Sequence, residues 1–368
     1  MGCKIASTSE NRHPRNVGSG LGAALNTKRE DLYPHNDAAH SSDNQSPAPP
    51  PSRLRWIFFG ADGLRVGWGL LMFIVPFLAL EFAVGTVVNK LYPPTPGPMV
   101  FRLRDMIIAE PLMFLIVLLI TWVVSKIERR PISVYGLGGS RRLPHFFAGL
   151  VWGVVSVSLL VLTLWKSGLL VIDRRLLFGS SIFRYGALWL IVSLFIGLFE
   201  ENYSRGYPQY TLARGLVGFY QWAFKTRHSA ALGFWTAALV FSILFSLEHA
   251  SNKGESPIGL LTVVLVAMVF CLSLWRTGSL WWAIGFHAAW DWSESFLYGV
   301  ADSGLMTQHH IYTTHAVGKP ILSGGATGPE GSVFVIPILA LVILGILFTV
   351  PRSSGGYASK LASAVSKH

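Results

Sequence analysis

Eight runs of roughly 20 apolar residues recur along this chain, at 66–88, 106–124, 146–164, 185–203, 231–250, 258–275, 279–297 and 332–350. About 20 such residues in a helix cross the hydrocarbon core of a bilayer. Lipid offers backbone N–H and C=O groups no partner, so a segment of this kind must satisfy them within its own helix. The pattern predicts an all-α fold, a polytopic membrane helix bundle of about eight transmembrane helices. Composition agrees, because charged residues make up 13% of the chain against about 25% in soluble domains. The 13 Trp and 23 Phe suit helices anchored at membrane interfaces. Runs one, two, three and eight are nearly uncharged and read as lipid-facing. Runs four to seven carry the ionisable residues and form the predicted functional core.

The formal net charge is +11, with basic side chains clustered beside the apolar runs. That arrangement serves topology and contact with lipid headgroups, so the high pI is no argument for a nucleic-acid partner. With residues before 66 cytoplasmic, the inner side holds Lys126, Arg129, Arg130, Arg141, Arg142, the 207–229 segment, Arg276 and the C-terminal tail. Its basic total exceeds the outer one by about half, which predicts an inner-membrane protein with both termini cytoplasmic.

Residues 1–52 are rich in Ser, Asn, Pro, Gly and His without an apolar period, and read as a disordered tail. N-terminal transmembrane helices follow at 53–182, the functional core at 183–298, a polar loop at 299–331, and a last helix and tail at 332–368. The start Met1-Gly2-Cys3 has Ala6 where the myristoylation pattern takes Ser or Thr. Cys3 and Cys271 give neither a disulfide framework nor a thiolate metal site. His309, His310 and His315 in the polar loop read as solvated residues rather than metal ligands.

Charge inside a bilayer costs about 2.5–3.5 kcal/mol per residue on insertion scales, so intramembrane ionisable groups mark functional sites. The first set is Glu200-Glu201-Asn202-Tyr203-Ser204-Arg205. Glu201 and Arg205 share a helical face four residues apart, with Glu on the favourable N-terminal side. Glu200 points about 100° away. Arg205 would neutralise one carboxylate and leave the other for general-base chemistry; a charged helix end at the interface is the plain alternative. The second set is Phe245–His249, with His249 closing an apolar run, a place where interfacial caps are common. The zinc-protease pattern H-E-x-x-H and its inverted form are absent. The third set places His287 and Asp291 four apart on a helix whose Ala288 and Ala289 permit close packing.

The ordered pattern E-E-x-x-x-R, F-x-x-x-H and H-x-x-x-[N/D] on three apolar helices resembles the CAAX protease and bacteriocin-processing family of intramembrane proteases. That family takes in proteins similar to type II CAAX prenyl endopeptidases and to lysostaphin resistance protein A. The stretch Arg276-Thr277-Gly278-Ser279-Leu280-Trp281 is also similar, and the resemblance covers roughly 185–297. It implies an endopeptidase with its catalytic core in helices four to seven, acting on a membrane-associated protein or peptide amid membrane lipids. It implies that Glu200 and His249 activate water, that His287 and Asp291 stabilise an oxyanion or bind metal, and that Glu201 and Arg205 support them.

Asp291 departs from the family, which has Asn there. Asn donates a hydrogen bond, whereas an ionised Asp only accepts. Two mechanisms stay open at this level: a metal-free glutamate route, and zinc held by Glu200, His249, His287 and Asp291 with an open water position. Two non-protease readings stand beside them, an inactive immunity or scaffold protein of the same fold and a proton-coupled transporter.

Overall fold

The computed structural model describes residues 57–60, 63–91, 100–351, 357 and 361. The expected tail at 1–52 lies outside these residues. A small hairpin, β1 (Phe59–Gly60) and β2 (Gly63–Leu64), precedes helix α1 (Val66–Leu91). Strand β3 (Val100–Phe101), α2 (Leu103–Ile127), α3 (Arg142–Lys166) and β4 (Leu170–Arg175) follow. Next come α4 (Ser180–Arg205), α5 (Tyr207–Phe224), α6 (Ser229–His249), α7 (Pro257–Thr277) and α8 (Trp281–Trp292), the last continued by a π-helical turn at Ser293–Tyr298. Strands β5 (Met306–Thr307) and β6 (Tyr312–Ala316), the single turn α9 (Pro320–Ser323) and helix α10 (Val335–Thr349) complete the order. The protein is an all-α polytopic bundle.

Local chemistry sets several boundaries. Ser256 caps α7 by accepting from the Gly259 N–H at 3.0 Å, and Pro257 opens the helix where its missing N–H costs nothing. Gly278 ends it at φ 68°, a left-handed conformation that suits glycine. Gly206 breaks α4 from α5 with a ψ of −118°, and Pro208 restarts the chain as helix. The sequence reading took 207–229 as a connecting segment. Most of it is α5, and its buried Tyr207, Tyr210, Ala213 and Val217 join the core shared with α1, α2 and α6.

Six helical runs among the described residues are long and apolar enough to cross a membrane: Val66–Val88, Leu103–Ile127, Arg142–Lys166, Ser180–Phe224, Ser229–His249 and Pro257–Thr277. Their outward faces carry large apolar side chains, with Phe82 77% and Phe183 80% exposed, as lipid-facing surfaces do. Two of the eight expected spans depart from a single long α-helix. The run at 332–350 is the 15-residue α10, and the run at 279–297 is the 12-residue α8 plus its π-helical turn. With that turn the helical run covers Trp281–Tyr298, from the Leu137 carbonyl that the Trp281 indole meets at one end to the Phe296 carbonyl that accepts from Ile311 at the other. It is wrapped in protein: Trp282, Ala283, Ile284, Phe286, Ala288 and Ala289 are all buried.

The close packing around α8 depends on glycine. A Cβ on Gly149 or Gly153 of α3 would strike the Trp282 or Phe286 carbonyl of α8, and a Cβ on Gly285 would strike the Phe146 carbonyl in return. The third run is therefore a packing partner of the core as well as a lipid-facing helix. The loop at 299–331 is more ordered than a polar loop implies. Its β5 pairs in parallel with β3, and β6 pairs antiparallel with β4. The Trp189 indole of α4 donates to the Gln308 carbonyl at 2.8 Å, which draws the loop down onto the bundle. Gly149→Val should lower stability by about 1–3 kcal/mol, the usual cost of overpacking. Thermal unfolding in detergent micelles measures this, with Gly85→Ala, a site with nothing within 4 Å, as the unaffected control.

Candidate active site

Helix α4 delivers the paired glutamates, and the structure separates them as their 100° offset requires. The Glu201 side chain is 0% exposed and the Arg205 side chain 1%. Arg205 Nη1 donates to Glu201 Oε1 at 2.7 Å, while its guanidinium lies 4.8 Å from the Phe245 ring centre and 5.2 Å from that of Phe270. Two aromatic faces and one carboxylate thus hold the cation, a stack that suits planar guanidinium. Glu200 is different. Its side chain is 23% exposed and lines a cavity of about 530 Å³. His249, His287 and Asp291 line the same cavity, whereas Glu201 and Arg205 do not.

His287 bridges the two roles. Its Nδ1 donates to Glu201 Oε1 at 3.0 Å, and its Nε2 lies 3.5 Å from Glu200 Oε2 and 3.7 Å from Asp291 Oδ1. The i, i+4 spacing of His287 and Asp291 thus puts both at the cavity on one face of α8. His249 sits in the last turn of α6, with Nδ1 2.8 Å from the Phe245 carbonyl. A carbonyl only accepts, so Nδ1 carries the proton, and in the neutral ring Nε2 is the free lone pair.

The cavity also gathers acidic groups that the sequence reading passed over. Glu81 of α1 and Glu110 of α2 line it, although those helices read as nearly uncharged and lipid-facing. Glu248 lines it too and accepts from the Tyr203 hydroxyl at 2.9 Å. Asp302, Ser303 and Glu330 come from the loop segment. The signal for Glu110 was present, as a carboxylate set before Pro111 within an apolar run. Asp302 and Glu330 carried none, because acidic residues in a polar loop are ordinary.

The loop is tied to α6 by the Asn252 side-chain amide, which donates to the Ser303 carbonyl at 2.9 Å. Ser303 in turn donates to Glu330 Oε1 through its N–H and, at 2.7 Å, through its hydroxyl. Burial pushes the Asp302 carboxyl up to about 6, with His287 opposing the shift and Glu200 adding to it. Burial, reinforced by Asp302 and opposed by the Ser303 hydrogen bond, raises Glu330 to about 8. The loop histidines are engaged elsewhere: His309 stacks on Tyr185, His310 meets the Tyr312 carbonyl and His315 pairs with Asp173.

Zinc sits about 2.0–2.2 Å from nitrogen and oxygen ligands, so a zinc set must bring its ligand atoms close together. No three of Glu200, His249, His287 and Asp291 have ligand atoms all within 4.8 Å of one another. The four do not fit a zinc centre as they stand. Among the described residues, the set of three that is so gathered is Glu294, Asp302 and Glu330.

A helical membrane bundle with glutamate, histidine and aspartate around a cavity is the class that fold and site define. Residues 182–293 match the family model of type II CAAX prenyl endopeptidases described as Rce1-like, and they form a domain of that kind. The match spans all three motifs, and at the level of the family it describes a membrane-embedded protease. No curated protein and no solved structure matches the chain.

Removing one partner of a buried ion pair costs about 3–5 kcal/mol. Arg205→Met should therefore destabilise the purified protein by about that much in thermal unfolding, with the loss visible even without substrate. Glu330 gives a pH signature. Its carboxyl binds a proton more tightly folded than unfolded, so its contribution is full below the ordinary value of 4.5 and is lost as pH rises through about 8. Glu330→Gln should flatten the decline in melting temperature between pH 5 and 9; an unchanged slope would count against the assignment.

Proposed function

We propose that this chain is an intramembrane endopeptidase that hydrolyses a peptide bond in a membrane-associated protein or peptide. The observation that carries the reading is the division within the glutamate pair: Glu201 is locked by Arg205 and His287, while Glu200 faces the cavity beside His249. Glu200 takes a proton from water as the water oxygen attacks the carbonyl carbon. The same proton then passes to the leaving amine nitrogen as the C–N bond breaks. His249, with Nδ1 on a carbonyl, orients the water through Nε2.

Glu201 and Asp291 position His287 from both sides. When the ring carries its second proton, its Nε2–H is the donor available to the developing oxyanion. An ionised Asp291 only accepts, so it acts through His287 and not on the oxyanion itself. The proposed route is metal-free, in keeping with the spread of the four candidate ligands. With the basic Lys126–Arg142 segment cytoplasmic, both termini are cytoplasmic in a cell membrane, and the segments that bring Asn252, Ser303 and Glu330 to the cavity lie at the opposite face.

Glu200→Ala and His249→Ala should each abolish cleavage of a membrane-tethered reporter while expression stays at the wild-type level. Wild-type rates in both variants would overturn the reading, and no cleavage by the wild type would favour an inactive scaffold of the same fold. A chelator should leave the wild-type rate unchanged.

A further inference from the structure

Asp302 and Glu330 line the cavity, and a third carboxylate meets them there. One oxygen from each of Glu294, Asp302 and Glu330 lies within 4.8 Å of the other two. The backbone gathers them from three places. Glu294 stands in the π-helical turn that continues α8, and its carbonyl accepts from the Val300 N–H at 3.0 Å as Gly299 ends the helix at φ 61°. Asp302 follows soon after. Glu330 lies in the short turn Pro329–Gly331, held alongside by the Gly304 N–H, which donates to the Thr327 carbonyl at 2.9 Å. A Cβ on Gly328 would strike the Ala301 carbonyl, so these two stretches meet backbone to backbone.

Two of the three carboxylates have donors. Ser303 donates to Glu330 through its N–H and hydroxyl, and the Ser295 hydroxyl donates to Asp302 at 3.4 Å. Glu294 has none. It is 0% exposed, and neither Oε1 nor Oε2 has a hydrogen-bond partner. The Trp290 indole is a neighbour that makes no bond of normal geometry to it. The ionisable groups that bear most on Glu294 are Glu330, Asp302 and Asp291, all acidic. A buried carboxyl without a donor, among acids, is costly unless something of opposite charge meets it. Oxygen ligands alone suit a hard divalent cation better than zinc. Opposite oxygens around Ca2+ stand about 5 Å apart, whereas Mg2+ draws them to about 4 Å.

We propose that Glu294, Asp302 and Glu330 form a structural Ca2+ site that fastens the 299–331 segment to the end of α8. Carboxylates that bind through both oxygens, together with water, complete the coordination Ca2+ takes. Burial favours the protonated forms of Asp302 and Glu330 while no cation is bound, so binding is an exchange in which protons leave as Ca2+ enters. None of the three activates water or meets the oxyanion in the proposed reaction. The site therefore stands independently of the protease reading, and its loss shows in stability rather than in rate.

The test uses the full chain in lipid nanodiscs at pH 8, stripped with EGTA, and reads Ca2+ binding by calorimetry beside the melting temperature. One Ca2+ per chain is expected, with a Kd at or below about 1 mM. A hundredfold excess over that Kd should raise the melting temperature by at least about 3 °C. Mg2+ and Zn2+ at the same concentration should raise it less. Glu294→Gln keeps the shape and removes a charged ligand. It should weaken Ca2+ binding by at least about tenfold and abolish the melting shift, and Asp302→Asn should do the same. Glu110→Gln, at a cavity carboxyl outside the cluster, should respond as the wild type does. No Ca2+ binding by the wild type, an undiminished response in Glu294→Gln and Asp302→Asn, or greater stabilisation by Mg2+ or Zn2+ would overturn the proposal.

Discussion

The buried pair of Arg205 and Glu201 is the interaction on which the site depends. Two charges removed from water are tolerable only when geometry and further contacts offset their desolvation. Here Arg205 is held by Glu201 at 2.7 Å and by the rings of Phe245 and Phe270, which come from α6 and α7. Glu201 spends the same oxygen on His287 of α8. One ion pair therefore joins four helices and orients an imidazole. Because this pair consumes Arg205, the adjacent Glu200 remains a carboxylate facing the cavity.

That arrangement needs α8 deep inside the bundle, and glycine is what lets it in. Gly149 and Gly153 bring α3 against the α8 backbone, and Gly197 of α4 lies within 3.1–3.5 Å, measured from a built Cβ, of Ile284, Ala288 and His287. The third motif thus lies on a helix enclosed by protein, within the 12 residues Trp281–Trp292. The segment at 299–331 then closes the far end through two small strand pairings and the hydrogen bond from Asn252 to Ser303. Site and closure are thus joined, since Asp302 and Glu330 line the same cavity as Glu200.

Much of this was legible in the residues. Runs of apolar side chains specify helices in lipid whatever their tertiary partners, so α1–α4, α6 and α7 were foreseen to within a few residues at most ends. The i, i+4 spacings of Glu201 with Arg205 and His287 with Asp291 are local geometry, and both pairs meet as spaced. Amphipathic α5 was missed because its apolar stripe is broken by Arg214, Gln209 and Tyr207, each of which is buried. Glu81 and Glu110 were missed because a single carboxylate in an apolar run does not say which face turns inward. Asp302 and Glu330 were missed because their meeting depends on long-range loop packing, which leaves no period in the sequence.

The central claim is that the two adjacent glutamates do different work, one chemical and one structural. The most direct measurement is a paired comparison of Glu200→Gln and Glu201→Gln in purified protein, reading peptide cleavage and melting temperature together. The account predicts that Glu200→Gln loses cleavage and keeps the wild-type melting temperature, while Glu201→Gln lowers the melting temperature by several degrees. A Glu200→Gln protein that still cleaves, or a Glu201→Gln protein that melts as the wild type does, would contradict it.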